Sequence, residues 1–161
     1  MKRLARQILE HGRDAGASIA TAESCTGGMV GAALTDLPGS SDVFVGGFVT
    51  YSNDLKRRLL RVRAGTLSRY GAVSEEVAYE MAVGARARAK TSHAVAVTGV
   101  AGPGASGAKP EGRVCFALAS PAGIETQTVD FGARGRGPVR RAARDHALML
   151  LARALVDQAT R

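Results

Sequence analysis

Apolar positions recur at helical spacing near both ends of the chain and at strand spacing between them. Leu4, Ile8 and Leu9 fit one face of a helix over residues 2–15, with Gly16 as its C-cap. Residues 18–22 form a short strand-like run, followed by a turn and a small glycine-studded helix over 27–35. Leu37-Pro-Gly-Ser-Ser41 is a turn. Residues 43–51 are β-branched and aromatic, which predicts an extended strand with Gly46 and Gly47 at a bulge or close crossing. Tyr51-Ser-Asn53 then caps a short helix over 54–60, in which Leu55 and Leu59 make an apolar i,i+4 pair around Lys56. Residues 61–73 read as irregular or as a brief helical turn.

A longer helix over 74–90 has Val77, Met81 and Ala85 as its stripe and Glu75 and Glu76 at its positive end. Residues 93–98 are a buried-type strand, and 99–112 are a loop dense in glycine and proline. Residues 114–119 and 124–131 form a hairpin through Pro121-Ala-Gly123. Pro138 suits the first position of a last helix, reaching to about 158, with Val139, Ala143, Ala147, Leu150, Leu151 and Leu155 as its stripe. Helices and strands alternate early and a hairpin comes late. That predicts an α/β fold with one mixed sheet and helices on both faces.

Composition narrows the classes. At 161 residues the chain is long enough for one domain with a core. No apolar run approaches a membrane span, and residues 1–16 carry too many charges for a signal peptide. Cys25 and Cys115 form no CxxC or His/Cys cluster, so neither a zinc site nor a disulfide framework is expected, and a reducing cytoplasm is the natural setting. The histidines are scattered, so no metal and no cofactor are expected. The net charge of +8 comes mostly from arginine. It suits an anionic ligand such as a nucleotide. No basic run or aromatic stacking motif supports nucleic acid.

Three polar residues stand at strand ends or helix starts: Ser24, Tyr51 and Lys56. A strand-to-helix turn leaves the first N–H groups of the helix unpaired and favours negative charge there. Ser24 is therefore either an N-cap or half of an acyl-transfer site. A serine with a lysine hydrolyses amides without histidine or metal, provided the lysine is neutral. The ordinary alternatives are a solvated helix lysine for Lys56 and a core-packed ring for Tyr51. Glu23 either orients a substrate amide or makes a structural hydrogen bond in the turn. Cys25 is a second nucleophile or a small core residue. Thr98-Gly-Val-Ala-Gly-Pro-Gly104 could bring its backbone close to a phosphate or ribose, as many ordinary turns could. Arg134, Arg136, Arg140 and Arg141 oppose the dipole of the last helix, which hints at an anion contact.

Five segments together resemble the CinA C-terminal domain family, which includes the stand-alone nicotinamide-nucleotide amidases. They are Thr21-Ala-Glu-Ser-Cys-Thr-Gly-Gly28, Gly47-Phe-Val-Thr-Tyr-Ser-Asn53 with Lys56, Gly71-Ala-Val-Ser-Glu75, Thr98-Gly-Val-Ala-Gly-Pro103 and Lys109-Pro-Glu-Gly112. The resemblance covers nearly the whole chain, so residues 1–161 are expected to form one such domain. It does not extend to the separate N-terminal CinA domain or its metal-dependent pyrophosphatase activity. It implies a three-layer α/β/α sandwich, a homodimer, a bacterial cytoplasm, and deamidation of nicotinamide mononucleotide to nicotinate mononucleotide and ammonia. The implied nucleophile is Ser24, with Lys56 as base and Tyr51 assisting it. Glu23, Thr26, Gly27, Gly28, Thr98, Gly99, Ala101, Gly102 and Arg136 are the expected substrate-binding residues, with an oxyanion hole near Thr26 and Gly27. Two stretches depart from the family pattern: Gly104-Ala-Ser-Gly-Ala108, and Arg134-Gly-Arg136, where the family usually has Gly-Asp-Arg. The alternative is a non-catalytic nucleotide-binding module with a partner in DNA uptake or repair.

Overall fold

Alternate residues of the central strands differ in size, and this sorts the helices between the two faces of one sheet. In the computed structural model, which describes residues 2–159, the strands are β1 (Ile19–Glu23), β2 (Phe44–Val49), β3 (His93–Gly99), β4 (Arg113–Ser120) and β5 (Gly123–Asp130). Ile19, Val95, Val97, Phe116 and Leu118 point to one face. Ala20, Ala22, Ala94, Ala96, Ala117 and Ala119 point to the other. The large-residue face is covered by α1 (Lys2–Asp14), α2 (Met29–Thr35) and α6 (Arg136–Ala159). The alanine face is covered by α5 (Glu75–Ala89), with α3 (Asn53–Leu60) and α4 (Ala64–Tyr70) beside it. The result is an α/β fold with helices on both faces of a mixed sheet, as the sequence predicts.

Alanine lets the α5 backbone lie close. Its stripe of Val77, Met81 and Ala85 is fully buried there. Where α5 crosses the end of α3, a Cβ on Gly84 would stand 2.0 Å from the Leu60 carbonyl oxygen, so only glycine fits.

The sheet order is β2-β1-β3-β4-β5. The first three strands are parallel, and β4 runs antiparallel to both neighbours. β1 therefore has β2 on one side and β3 on the other, with crossovers on opposite faces. The crevice outside the carboxyl ends of β1 and β3 is the topological switch point, where α/β sheets bind ligands. β2 carries the expected irregularity: Ile19 and Ala20 pair with Phe44 and Gly46, leaving Val45 over. Gly47 marks the expected close crossing, since a Cβ there would lie 2.4 Å from Thr21 Oγ1.

Several boundaries differ from the sequence expectations. Residues 64–70 form a full helix, α4, where only a brief turn was expected. α2 starts at Met29, because Gly27 and Gly28 both take left-handed φ angles (60° and 99°). α6 starts at Arg136, so Pro138 is its third residue, still in the first turn where no N–H is needed. On α3 the buried pair is Lys56 and Leu60, while Leu59 is exposed. Among the described residues no helix is long and apolar enough to cross a membrane.

Candidate active site

β1 ends at Glu23, which is 1% exposed and whose carboxylate turns forward over α2. Oε2 accepts the N–H groups of Gly28 (3.0 Å) and Val30 (3.1 Å), and Oε1 accepts that of Gly31 (2.9 Å). The start of α2 is thus capped from upstream by a carboxylate, which also suits the helix dipole. This corrects two expectations. The helix N–H groups are not free and Ser24 is not their cap, while Glu23 makes the structural hydrogen bonds in the turn that were one of its two readings. Gly27 and Gly28 shape the turn through their φ angles. The Gly27 N–H is donated to the Ser24 carbonyl (3.0 Å), so it is not available to an oxyanion. Thr26 is fully buried, and its carbonyl accepts from Met29 N–H (3.2 Å).

Ser24 follows directly, with its own N–H donated to Val97 O across the sheet (2.9 Å). Its side chain meets Lys56 from α3. Ser52 caps that helix by accepting the Leu55 N–H (3.2 Å), which fixes where its first turn points. Lys56 is 1% exposed. Its Nζ lies 3.0 Å from Ser24 Oγ, 2.8 Å from Thr50 O and 3.3 Å from Tyr51 O. Burial pulls its pKa from 10.5 down to about 8. The solvated alternative for Lys56 is therefore wrong. A neutral amine has two N–H bonds and one lone pair. With both N–H groups on the two carbonyls, the lone pair faces the serine hydroxyl, the arrangement a base needs. Cys25 is buried, and desolvation pushes its thiol up to about 12, so it carries no thiolate at neutral pH.

Tyr51 is 58% exposed and not packed in the core. Its phenol oxygen accepts from Arg136 Nη2 (2.7 Å) instead of reaching Lys56 or Ser24; only its backbone carbonyl touches the lysine. Arg136, the first residue of α6, also donates from Nη1 to Gly102 O (2.9 Å). Tyr51, Arg136 and Gly102 thus link three separate segments at the rim of a pocket of about 340 Å³. Ser24 and Lys56 lie in that pocket, and Thr98, Gly99, Ala101 and Gly102 also line it. Thr98 is buried, with its hydroxyl donated to Ala72 O (2.8 Å).

Sequence reasoning missed how the pocket is held. Lys109 donates to Tyr70 O (2.7 Å) and Val73 O, tying the glycine-rich loop to the end of α4. Glu111 accepts from Gly104 N (2.7 Å) and Gly135 N (2.8 Å), tying the same loop to the start of α6. The signal was present in Lys109-Pro-Glu-Gly112, but nothing in the sequence says where those side chains reach. Arg140 was noticed only as a charge. It donates from Nε to Cys25 O (3.0 Å) and from Nη2 to Thr26 O (3.1 Å), so its partners are carbonyls and not an anion.

Known proteins share this architecture and sequence. The model of the CinA C-terminal domain matches residues 1–155. The nicotinamide-nucleotide amidohydrolase PncC of Escherichia coli is 44% identical over 152 residues, 94% of this chain and 92% of that protein. A CinA-like protein of Parasynechococcus marenigrum is 47% identical over 157 residues, and there the chain spans only 38% of the relative's length. Among solved structures, the competence/damage inducible protein CihA from Agrobacterium tumefaciens superposes with a TM-score of 0.92 at 44% identity, covering 95% of this chain and 94% of that one. A CinA superfamily protein from Enterobacter cloacae gives 0.91 at 35% identity, covering 96% and 91%.

Proposed function

The chain belongs to the CinA C-terminal domain family, and on that premise we propose that it hydrolyses the carboxamide of nicotinamide mononucleotide to nicotinate mononucleotide and ammonia. The observation that carries the proposal is the contact of 3.0 Å between Ser24 Oγ and the Nζ of a lysine that is 1% exposed. The similarity to the Escherichia coli amidohydrolase supports the choice of substrate.

In this mechanism neutral Lys56 takes the hydroxyl proton as Ser24 Oγ attacks the amide carbon. The carbonyl oxygen becomes an oxyanion beside the turn. The N–H groups of Ser24 and Gly27 are already taken, which leaves those of Cys25 and Thr26 as the candidate donors of the turn, and Cys25 lines the pocket. The ammonium of Lys56 then protonates the leaving nitrogen, and ammonia departs. Water enters, Lys56 takes its proton and passes it to Ser24 Oγ as the acyl bond breaks, and the free acid leaves with the serine hydroxyl restored. Tyr51 contributes its carbonyl to the lysine. Its phenol and the Arg136 guanidinium lie at the rim, where Arg136 is the candidate phosphate ligand. A module that only binds nucleotides has no use for a lysine held dry against a serine, which weighs against the non-catalytic alternative.

The test is ammonia release from nicotinamide mononucleotide. Wild-type protein should release it, and Ser24→Ala should not. Full activity in Ser24→Ala would remove the serine from the mechanism.

A further inference from the structure

We propose that Arg140 is a positioning residue that fixes the turn carrying the nucleophile Ser24. The inference rests on the amidase mechanism above and extends it to a side chain outside the pocket, which Arg140 does not line.

The turn after Ser24 has three successive peptide units to orient, and each is held by a different partner atom. The carbonyl of Ser24 accepts the Gly27 N–H at 3.0 Å. The carbonyls of Cys25 and Thr26 accept from one arginine, which crosses from α6 with Nε at 3.0 Å and Nη2 at 3.1 Å. Cys25 C=O and Thr26 N–H belong to the same planar trans unit and point in opposite directions. Holding the carbonyl toward Arg140 therefore drives the Thr26 N–H away from it. Fixing this unit holds the main chain directly after the nucleophile.

A further feature fits this role. A Cβ on Gly27 would meet Arg140 Nη2 at 3.2 Å, so the guanidinium lies directly against the turn. A planar fork with donors at fixed separation holds two adjacent carbonyls at once, which a single ammonium does not. Glu23 fixes the downstream end of the same turn through the α2 N–H groups. Opposite charges thus brace the turn from its two sides, one on N–H groups and one on carbonyls.

The test compares Arg140→Ala and Arg140→Lys with wild type, using nicotinamide mononucleotide as substrate. Active sites are counted with a serine-acylating fluorophosphonate, so that loss of fold is separated from loss of rate. A misplacement of about 1 Å at a reacting group lowers the rate by about 10²-fold. Arg140→Ala should therefore lose roughly 100-fold in kcat per titrated site while KM stays within about twofold. The lysine variant should lose nearly as much. Added guanidinium should restore part of the rate in Arg140→Ala and none in Ser24→Ala. The midpoint of the pH profile should not move, since Lys56 is untouched. A kcat per site equal to wild type overturns the inference and leaves the amidase mechanism standing. So does a loss that appears only in KM. Wild-type protein inert toward this substrate overturns both.

Discussion

Lys56 is the side chain on which the proposed chemistry and the stability of the fold pull in opposite directions. A shift from 10.5 to about 8 corresponds to roughly 3 kcal/mol against the charged form at ~1.4 kcal/mol per unit. The folded pKa lies below the unfolded one. The penalty is therefore fully present below pH 8, fades as pH rises, and is gone above about 10.5. Lys56→Met removes it but leaves Thr50 O and Tyr51 O without their donor, a loss of about 1–3 kcal/mol for each. The two effects are of similar size at pH 7. The variant should therefore lose the rise in stability that urea unfolding shows for wild type between pH 8 and 10.5, and it should release no ammonia. A variant that keeps that rise and is still active would show that the lysine is neither desolvated nor the base. In the wild type, kcat/KM should rise with pH through a midpoint near 8, as the neutral fraction grows. At this scale the sequence was legible only in part. Leu55 and Leu59 signal one buried face of α3, and the fold buries the other, because a lysine and Leu60 occupy the side against α5.

The elements were easier to read than their contacts. Every strand and the long helices follow from spacing and from the turn residues between them, and the stripes of α5 and α6 are buried as written. α4 was missed because its seven residues offer little apolar pattern: Thr66 is the buried one and Leu67 only partly so. The cap of α2 was missed because it comes from a carboxylate upstream of the turn, not from the residue at the cap position. Gly84 shows how such contacts change a propensity argument. Glycine to alanine within a helix ordinarily gains about 1 kcal/mol. Here the added Cβ would meet backbone at the Leu60 carbonyl, which cannot swing aside as a side chain would. Overpacking of this kind costs about 1–3 kcal/mol, occasionally more. Gly84→Ala should therefore destabilise the protein, with a lower Tm, against the sign that propensity gives. Displacing the end of α3 should also draw Lys56 away from Ser24 and lower kcat. A higher Tm with unchanged kcat would mean that α3 and α5 have slack at their crossing. The same logic applies to the loop over 99–112. Glu111→Ala frees the N–H groups of Gly104 and Gly135, so it should raise KM through Arg136 while leaving kcat per site near wild type.

For the whole molecule, the titrating groups set a direction with pH. His93 is 1% exposed at the start of β3, and burial lowers its pKa, with Arg86 adding to the effect. His146 on α6 is lowered by burial and then by Arg153. Its ring lies 4.6 Å from that of Phe116, and its Nε2 is buried without a partner, so a proton there would be charged and unpaired. Both folded pKa values lie below the unfolded value near 6.5. Stability is therefore complete above about pH 6.5 and is lost as pH falls through the folded values. Acid adds a second load, because every histidine that charges raises the repulsion in a chain already at +8. On the alkaline side, Lys56 makes stability rise again above pH 8. Urea unfolding at pH 5, 8 and about 9.5 should thus give free energies that increase in that order, and proposed turnover should increase with them. His146→Phe keeps an aromatic ring beside Phe116 and Phe131 but has nothing to protonate. It should flatten the acid side of the curve without moving the Lys56 midpoint in activity. If wild-type stability is the same at pH 5 as at pH 8, the buried histidines are not held neutral by the fold. If His146→Phe leaves the acid slope unchanged, the burden falls on His93 alone.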